Sequence, residues 1–371
     1  MLRRVFSGLP GWLPPYQVIL ALLGIGLGLL PGLPHWRPSS DLILAVFIPP
    51  LVFEAALNLN LAALRRVIWP VALLATVGVV ITIGVIGLLV HLILGLSWPG
   101  ALLLGAILSP TDPIAVVSLV RRSGAPVQLA TLLEGESLFN DGTGAAAFVA
   151  VLAAAASGHF SVADASLRFV LLTVAGALIG AAVGLAVAAL VRRISWTPLE
   201  VVLTVVVAYG SYAVAAAAGA AAVMAVAAAG VAMAAIGRWG RGTQRSWAWL
   251  VLLLSVALFT LIGLGLPASD VLGSVVPILV GFGILLASRA APVLLLTFRV
   301  PPRWQQLMWW GGVRGAISVA LASAAKGQPG VESSVPVIAY GVVVLSLIFQ
   351  GSVIRPAVGL LRLNQAPSDP G

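Results

Sequence analysis

Charged side chains are scarce in this sequence, and cysteine is absent from it. Of 371 residues, 8% are charged and 61% are hydrophobic, whereas a soluble domain carries about 25% charged residues. No soluble fold hides this much apolar surface from water, so we predict a membrane protein. The lack of cysteine excludes disulfides and thiolate metal sites, and three histidines are too few for a histidine-rich metal site.

The apolar segments are continuous over about 20 residues, the length that spans a bilayer as a helix. Only helices and closed barrels satisfy their backbone groups in lipid, and barrel strands alternate apolar and polar residues. The sequence therefore predicts an all-α polytopic membrane protein with about twelve transmembrane helices. The predicted spans are 14–31, 40–57, 68–95, 98–119, 127–156, 166–191, 198–217, 219–236, 247–266, 270–298, 304–325 and 334–361.

The basic residues are distributed unevenly across the membrane. Fifteen of the 20 fall at the termini or in alternate connections on one predicted side, and the other side has only Arg37, Arg168 and Lys326. Short loops rich in Lys and Arg stay in the cytoplasm, so both termini, including a short polar tail at 364–371, are predicted to be cytoplasmic. The net charge of +9 thus reflects topology rather than nucleic-acid binding.

Ionisable side chains within the predicted spans are functional candidates, because each costs at least about 2.5–3.5 kcal/mol at the centre of a membrane helix. Glu134 is expected to lie nearer an aqueous end than the others. The candidates are Glu54, Asp112, Glu134, Glu136, Asp141, Arg289 and Arg314.

The fourth span contains two prolines around an acidic residue. Pro110 and Pro113 bracket Thr111 and Asp112, and proline removes a backbone donor and clashes with the preceding turn. We predict that the helix unwinds here at mid-membrane, as in the discontinuous helices that form ion sites in transporters. The alternative is a simple proline kink without a ligand.

The fifth span places polar residues one helical turn apart. Glu136 pairs with Asn140, and Ser137 pairs with Asp141 at this spacing. Carboxylate, hydroxyl and carbonyl oxygens suit a small hard cation such as sodium. A carboxylate also binds a proton, and one group that binds either ion but never both gives obligatory exchange. The alternative is a structural polar network between helices.

The eleventh span carries an arginine among glycines. Arg314 follows Gly311 and Gly312 and precedes Gly315, so we predict a close helix approach or a second break. A structural clamp is a more frequent role for such an arginine than direct substrate binding.

Both buried arginines need acidic partners. Glu54, which follows a Pro-Pro pair in the second span, is one candidate partner for Arg314. Glu136 is the candidate partner for Arg289 in the tenth span.

Four motifs together carry a family resemblance from about Pro14 to Leu363. They are FIPPLVFEAALN at 47–58, LSPTDPIAVVSLVRR at 108–122, LEGESLFNDGTG at 133–144 and WGGVRGAISVALA at 310–322. In this order they resemble the bacterial sodium/proton antiporters of the monovalent cation:proton antiporter superfamily. The branch is the one with an Asn-Asp motif that also contains the animal sodium/proton exchangers.

The resemblance implies a fold of inverted repeats with two crossed discontinuous helices in a bacterial inner-membrane homodimer. It implies a single transmembrane unit over 1–363. Core helices are expected at about 40–57, 98–156 and 270–325, and dimerisation or scaffold helices at about 14–31, 198–236 and other ranges. Members of this branch usually have thirteen helices. We therefore hypothesise that the first family helix is missing here, through truncation, a misassigned start codon or real loss.

The resemblance also implies roles for individual residues. Asp141 would bind the transported sodium ion or proton, Asn140 marks the branch, and Thr111, Asp112, Glu136 and Ser137 would complete or support the ion site. Arg289 and Arg314 would be buried structural arginines. One exchanging carboxylate implies electroneutral antiport by an elevator-like movement, without a cofactor.

Three other functions remain open on the residues alone. A potassium/proton or broader cation/proton antiporter would use the same ligands. A passive cation channel would need no proton-coupled carboxylate. A membrane-embedded aspartyl enzyme would use Asp112 and Asp141 as a pair, but no cleavage motif accompanies them.

Overall fold

The computed structural model describes residues 16–28, 30, 39–156, 161–191, 196–236, 239–265 and 268–361. Several residues used in the topology prediction lie outside these ranges, as does the tail at 364–371. These residues are Arg3, Arg4, Arg37, Arg192, Arg193, Arg238 and Arg362.

Twelve helical units in the described residues correspond to the twelve predicted spans. Their bounds are α1 Tyr16–Gly28, α2 Ser40–Leu57, α3 Leu61–Leu94, α4 Trp98–Ile107 and Ile114–Arg122, α5 Val127–Ala156, α6 Val162–Val191, α7 Thr197–Ala217, α8 Ala222–Ile236, α9 Arg241–Leu264, α10 Val275–Leu296, α11 Pro302–Trp310 and Ala316–Ala325, and α12 Ser334–Leu360. A short helix, Ala268–Gly273, precedes α10.

Eight of these units are each long and apolar enough to cross a membrane, counted over the part of the chain that the structure describes. The other four are α1, α8 and the two interrupted units, α4 and α11. The predicted all-helical polytopic fold is confirmed. A discontinuous helix followed by a continuous one occurs twice, as α4–α5 and as α11–α12.

Both predicted helix breaks are present. The first half of α4 ends at Ile107 and the second begins at Ile114, so Pro110 and Pro113 lie at the non-helical segment and at the start of the second half. The halves of α11 are separated by residues 311–315, which include Gly311 and Gly312. Proline explains the first break, since it cannot donate to the preceding turn. Glycine permits the second break, where side chains of other helices come close.

The connection between α7 and α8, the least distinct of the predicted boundaries, is a tight turn at Gly219. This residue has φ = +67°, in the left-handed region that glycine adopts without a steric penalty. The chain reverses here within residues 218–221, so the uninterrupted apolar sequence forms two helices and not one.

Small residues bring the helices around this turn into close contact. Gly176, Gly180 and Gly184 lie one turn apart on α6 and face α8. A Cβ atom at Gly180 would overlap the carbonyl oxygen of Ala225. Membrane helices associate through such small-residue faces, because lipid supplies no hydrophobic drive for helix pairing.

Candidate ion-binding site

The two helix breaks meet, and their unwound backbones bind each other. The Asp112 backbone N–H donates to the Val313 carbonyl at 2.7 Å. The Arg314 guanidinium donates from Nη1 to the Pro110 carbonyl at 3.4 Å. Each break thus satisfies polar groups that the other one exposes, as the apolar surroundings require. We call the point where the two breaks meet the crossing. It brings together two sequence motifs that are about 200 residues apart.

Helix α5 holds the first break through Thr111. The Asn140 side chain accepts from the Thr111 backbone N–H at 3.2 Å and donates to the Thr111 hydroxyl at 2.9 Å. The Ser137 hydroxyl donates to the Thr111 carbonyl. All three polar groups of Thr111 are therefore bound to α5. Contrary to our expectation that Glu136 holds Asn140, the amide of Asn140 binds the break instead.

Four carboxylates line a cavity that ends at the crossing, namely Glu54, Asp112, Glu134 and Asp141. The cavity measures about 660 Å³ and lies between α2, α4, α5 and α11. Asp112 and Asp141 are half-buried on its wall, and Glu54 reaches it from α2. The Asp112 carboxylate also accepts the backbone N–H of Ile114, the first residue of the second half of α4, at 3.0 Å. The predicted residues Asp141, Asp112, Thr111 and Ser137 are thus assembled around one cavity.

Gly315 leaves the room that the Asp112 side chain occupies. A Cβ atom at position 315 would lie 2.6 Å from the Asp112 Oδ2 atom, a separation that real Cβ atoms do not show. We expect Gly315→Ala to displace the Asp112 carboxylate and to lower the apparent sodium affinity by about tenfold, since overpacking costs about 1–3 kcal/mol. The measurement is the sodium concentration that half-saturates exchange in proteoliposomes.

Gly283→Ala is the matched control for this substitution. A Cβ atom at Gly283 in α10 meets no heavy atom within 4 Å, so this variant should retain the wild-type sodium dependence. Equal sodium dependence in the two variants would contradict the assigned contact between Gly315 and Asp112.

A buried ion pair lies beside the crossing. Arg289 on α10 binds Glu136 on α5 with 2.5 Å between Nη2 and Oε1, as predicted. Glu136 is 1% exposed and Arg289 is 6% exposed. Arg289 also donates from Nε to the Met308 carbonyl at 3.4 Å, near the end of the first half of α11. Glu136 is therefore engaged in a structural pair that joins α5, α10 and α11.

The predicted partner of Arg314 was wrong. Neither of the ion pairs at this site joins Glu54 to Arg314. The Glu54 carboxylate instead accepts from Asn58 Nδ2 at 2.8 Å and faces the cavity. Arg314 is 1% exposed and directs Nη1 to the first break. The prediction failed because sequence position does not tell which side of the crossing each side chain faces.

The mouth of the cavity carries an exposed ion pair that the sequence analysis did not predict. Arg121 at the end of α4 binds Glu134 on α5 with 2.6 Å between Nη2 and Oε1. Their side chains are 52% and 22% exposed. The partly exposed side chain of Glu134 agrees with its expected position near an aqueous end, which stays a prediction. Both residues line the cavity, together with Asn58.

Two further polar residues contact the crossing from α12 and were also missed. Ser346 binds the Arg314 backbone, and Gln350 binds the Trp310 carbonyl. They are four residues apart in an apolar span, the same spacing that marked Ser137 and Asp141. That spacing was the sequence signal by which Ser346 and Gln350 could have been found.

The comparisons with known proteins agree with this architecture. The family model described as "Sodium/hydrogen exchanger, transmembrane" matches residues 6–359. The Na(+)/H(+) antiporter ApNhaP of Aphanothece halophytica is 33% identical over 94% of this chain and 70% of its own length. The Na(+)/H(+) antiporter NhaP of Pseudomonas aeruginosa is 35% identical over 86% of this chain and 81% of its own length.

A solved structure shares the fold. The sodium proton antiporter MjNhaP1 from Methanocaldococcus jannaschii superimposes with a TM-score of 0.72, at 21% identity, over 94% of this chain and 92% of that one. Two discontinuous helices crossing beside an Asn-Asp pair, together with the near full-length family match, give the same assignment. The chain belongs to the sodium/hydrogen exchanger family of transmembrane proteins.

Proposed function

We propose that the protein is a secondary active antiporter that exchanges sodium for protons at Asp141, one for one. The observation that carries the proposal is the crossing itself, where Asp141 and Asp112 face an open cavity while Glu136 is neutralised by Arg289. Relatives that are 33% and 35% identical bear the name Na(+)/H(+) antiporter. A transporter of this kind performs no bond-making chemistry and needs no cofactor.

The residues divide into one that exchanges ions and several that hold it in place. Asp141 binds either a proton or a sodium ion, so occupation by one ion requires release of the other. Asp112 adds negative charge but is restrained by its hydrogen bond to the first residue of a half-helix. Thr111, Ser137 and Asn140 fix the unwound segment through their mutual hydrogen bonds. A single exchanging carboxylate makes the cycle electroneutral.

The cavity presents the site to one side of the membrane. Its mouth lies at the end of α2 and at the Arg121 end of α4, on the side that we predict to be cytoplasmic from the distribution of basic residues. Exchange then requires a second conformation in which the site faces outward. We propose the elevator-like movement of the core helices, within a homodimer in the bacterial inner membrane.

The proposed function is tested with purified protein in proteoliposomes under an imposed pH gradient. Sodium, lithium and potassium are added in turn, and the recovery of the internal pH is followed. We expect sodium to dissipate the gradient at a rate that does not change with an imposed membrane potential. Dissipation by potassium alone would replace sodium with potassium as substrate, and a steep dependence on potential would contradict one-for-one exchange.

A further inference from the structure

A hydrogen-bonded pair on α12 contacts the second helix break. The Ser346 hydroxyl accepts from the Arg314 backbone N–H at 2.9 Å. The same hydroxyl donates to the side-chain oxygen Oε1 of Gln350. Gln350 Nε2 in turn donates to the Trp310 backbone carbonyl at 3.1 Å. Both residues are fully buried, at 0% and 2% exposure. The pair therefore binds the backbone on both sides of the break, at Trp310 and at Arg314.

The direction of each hydrogen bond is determined by its neighbours. The backbone N–H of Arg314 makes the Ser346 oxygen an acceptor, so the hydroxyl proton is available for Gln350 Oε1. The amide nitrogen of Gln350 then faces the Trp310 carbonyl, which is the only arrangement that pairs a donor with each acceptor. Trp310 ends a half-helix, and its carbonyl has no partner in the helix ladder. Gln350 supplies the missing donor.

The helix geometry supports a dedicated role for these two residues. Residues 346–350 form a π-helical turn within α12, and such turns occur mostly as single turns inside α-helices, frequently at functional sites. A wider turn changes which side chains face a neighbouring helix. Here Ser346 and Gln350 both face the second break, with hydrogen bonds at its two ends.

The first break is held in a comparable way, but the charged groups around the two breaks differ. In each case, the continuous helix that follows the broken one supplies a serine that binds the break, and a polar residue four positions later. On α5 these are Ser137 and Asp141, and on α12 they are Ser346 and Gln350. The α12 residue is a neutral amide, and Arg314 lies in the second break. Among these contacts the second break offers no carboxylate for a cation, so it serves as an anchor and not as a second ion site.

The anchor reaches the ion site through one backbone segment. Val313 lies between the two clamped positions, Trp310 and Arg314, and its carbonyl accepts the Asp112 backbone N–H at 2.7 Å. Arg314 also binds the Pro110 carbonyl. Movement of the second break would therefore shift the backbone on both sides of Thr111.

We propose that Ser346 and Gln350 form a clamp that positions the ion site, acting through Val313 and Arg314 on the unwound segment that carries Asp112. This inference rests on the proposed function, because its readout is sodium-dependent exchange. The clamp residues do not touch the ion. Their effect is to keep the first break in the geometry that binds sodium.

The test compares sodium dependence and maximal rate in proteoliposomes containing equal amounts of protein. Gln350→Met keeps the size of the side chain and removes both hydrogen bonds. We expect the half-saturating sodium concentration to rise by about tenfold, the usual effect of leaving a buried polar group unpaired, with the maximal rate reduced much less. Gln305→Met is the control. Gln305 lies in the first half of α11 and donates at 2.6 Å to the carbonyl of Thr297, which follows α10, so this bond lies away from the break.

Ser346→Ala is the second variant and removes only one oxygen atom, so it tests the clamp if Gln350→Met does not fold. It should raise the half-saturating sodium concentration similarly, whereas Ser352→Ala, which loses an exposed bond to Ile348, should not. Because the two residues act as one unit, the double variant should be no worse than the worse single variant.

The outcomes separate the two proposals. If wild-type protein shows no sodium-driven exchange, the proposed function fails. If wild-type protein exchanges and Ser346→Ala has an unchanged sodium dependence, the clamp is overturned. Purely additive effects in the double variant would also overturn it, because independent packing losses add.

Discussion

Asp141→Asn is expected to abolish sodium/proton exchange while leaving the protein folded. Asparagine matches aspartate in size but does not take up a proton in the cycle or carry the charge that holds a cation. Losing one partner of a buried charge interaction costs at least about 2 kcal/mol, so exchange should fall by at least about thirtyfold. The measurement is the sodium-dependent recovery of internal pH in proteoliposomes.

Asp164→Asn is the matched control for this change. Asp164 is an exposed aspartate in the first turn of α6, outside the cavity at the crossing. It should leave exchange within about twofold of wild type, as surface substitutions do. Full exchange by Asp141→Asn would reject Asp141 as the coupling carboxylate and direct attention to Asp112 and Glu54, which line the same cavity.

Arg289→Met is expected to destabilise the folded protein severely. It leaves the Glu136 carboxylate buried at 1% exposure without its cation. Breaking a buried ion pair in this way costs about 3–5 kcal/mol. Thermal unfolding of the purified protein in detergent should show a large drop in the transition temperature. The double variant Glu136→Gln with Arg289→Met should recover most of the loss, because no buried charge remains.

The exposed pair at the cavity mouth is the control for this ion pair. Arg121 and Glu134 have the same chemistry and nearly the same separation, but their side chains are 52% and 22% exposed. Arg121→Met should change the free energy of unfolding by no more than about 1 kcal/mol, because water screens such pairs. Equal destabilisation by Arg121→Met and Arg289→Met would show that burial does not decide the strength of these pairs.

The helix breaks illustrate what local sequence can predict. Pro110 and Pro113 prevent regular helical hydrogen bonding whatever surrounds them, so the interruption of α4 follows from covalent structure. The glycines at 311–315 allow a break but do not require one. Helix limits were predicted well for a second reason. The bilayer demands long apolar segments with internally paired backbones.

The partners of the buried charges show where such prediction ends. Arg289 and Arg314 each needed a polar or acidic partner inside the apolar bundle. The pairing of Arg289 with Glu136 was predicted correctly. Glu54 was one candidate partner for Arg314, but Arg314 binds a backbone carbonyl of the other break. Nothing in a single sequence tells how far apart two helices lie or how each is rotated about its axis. Ser346 and Gln350 were overlooked because neutral polar residues in an apolar helix have many structural roles.

By itself the sequence determined that the chain is a helical membrane protein, where its helices run, and which few ionisable groups enter the bilayer. Those conclusions rest on the energetic cost of polar groups in lipid, which acts on each segment separately. Only the tertiary structure decided which groups meet at the crossing, that Glu136 is bound while Asp141 and Asp112 face the cavity, and that Thr111 is held by α5. Contacts between residues about 200 positions apart depend on how the helices pack, and that packing is a property of the whole bundle.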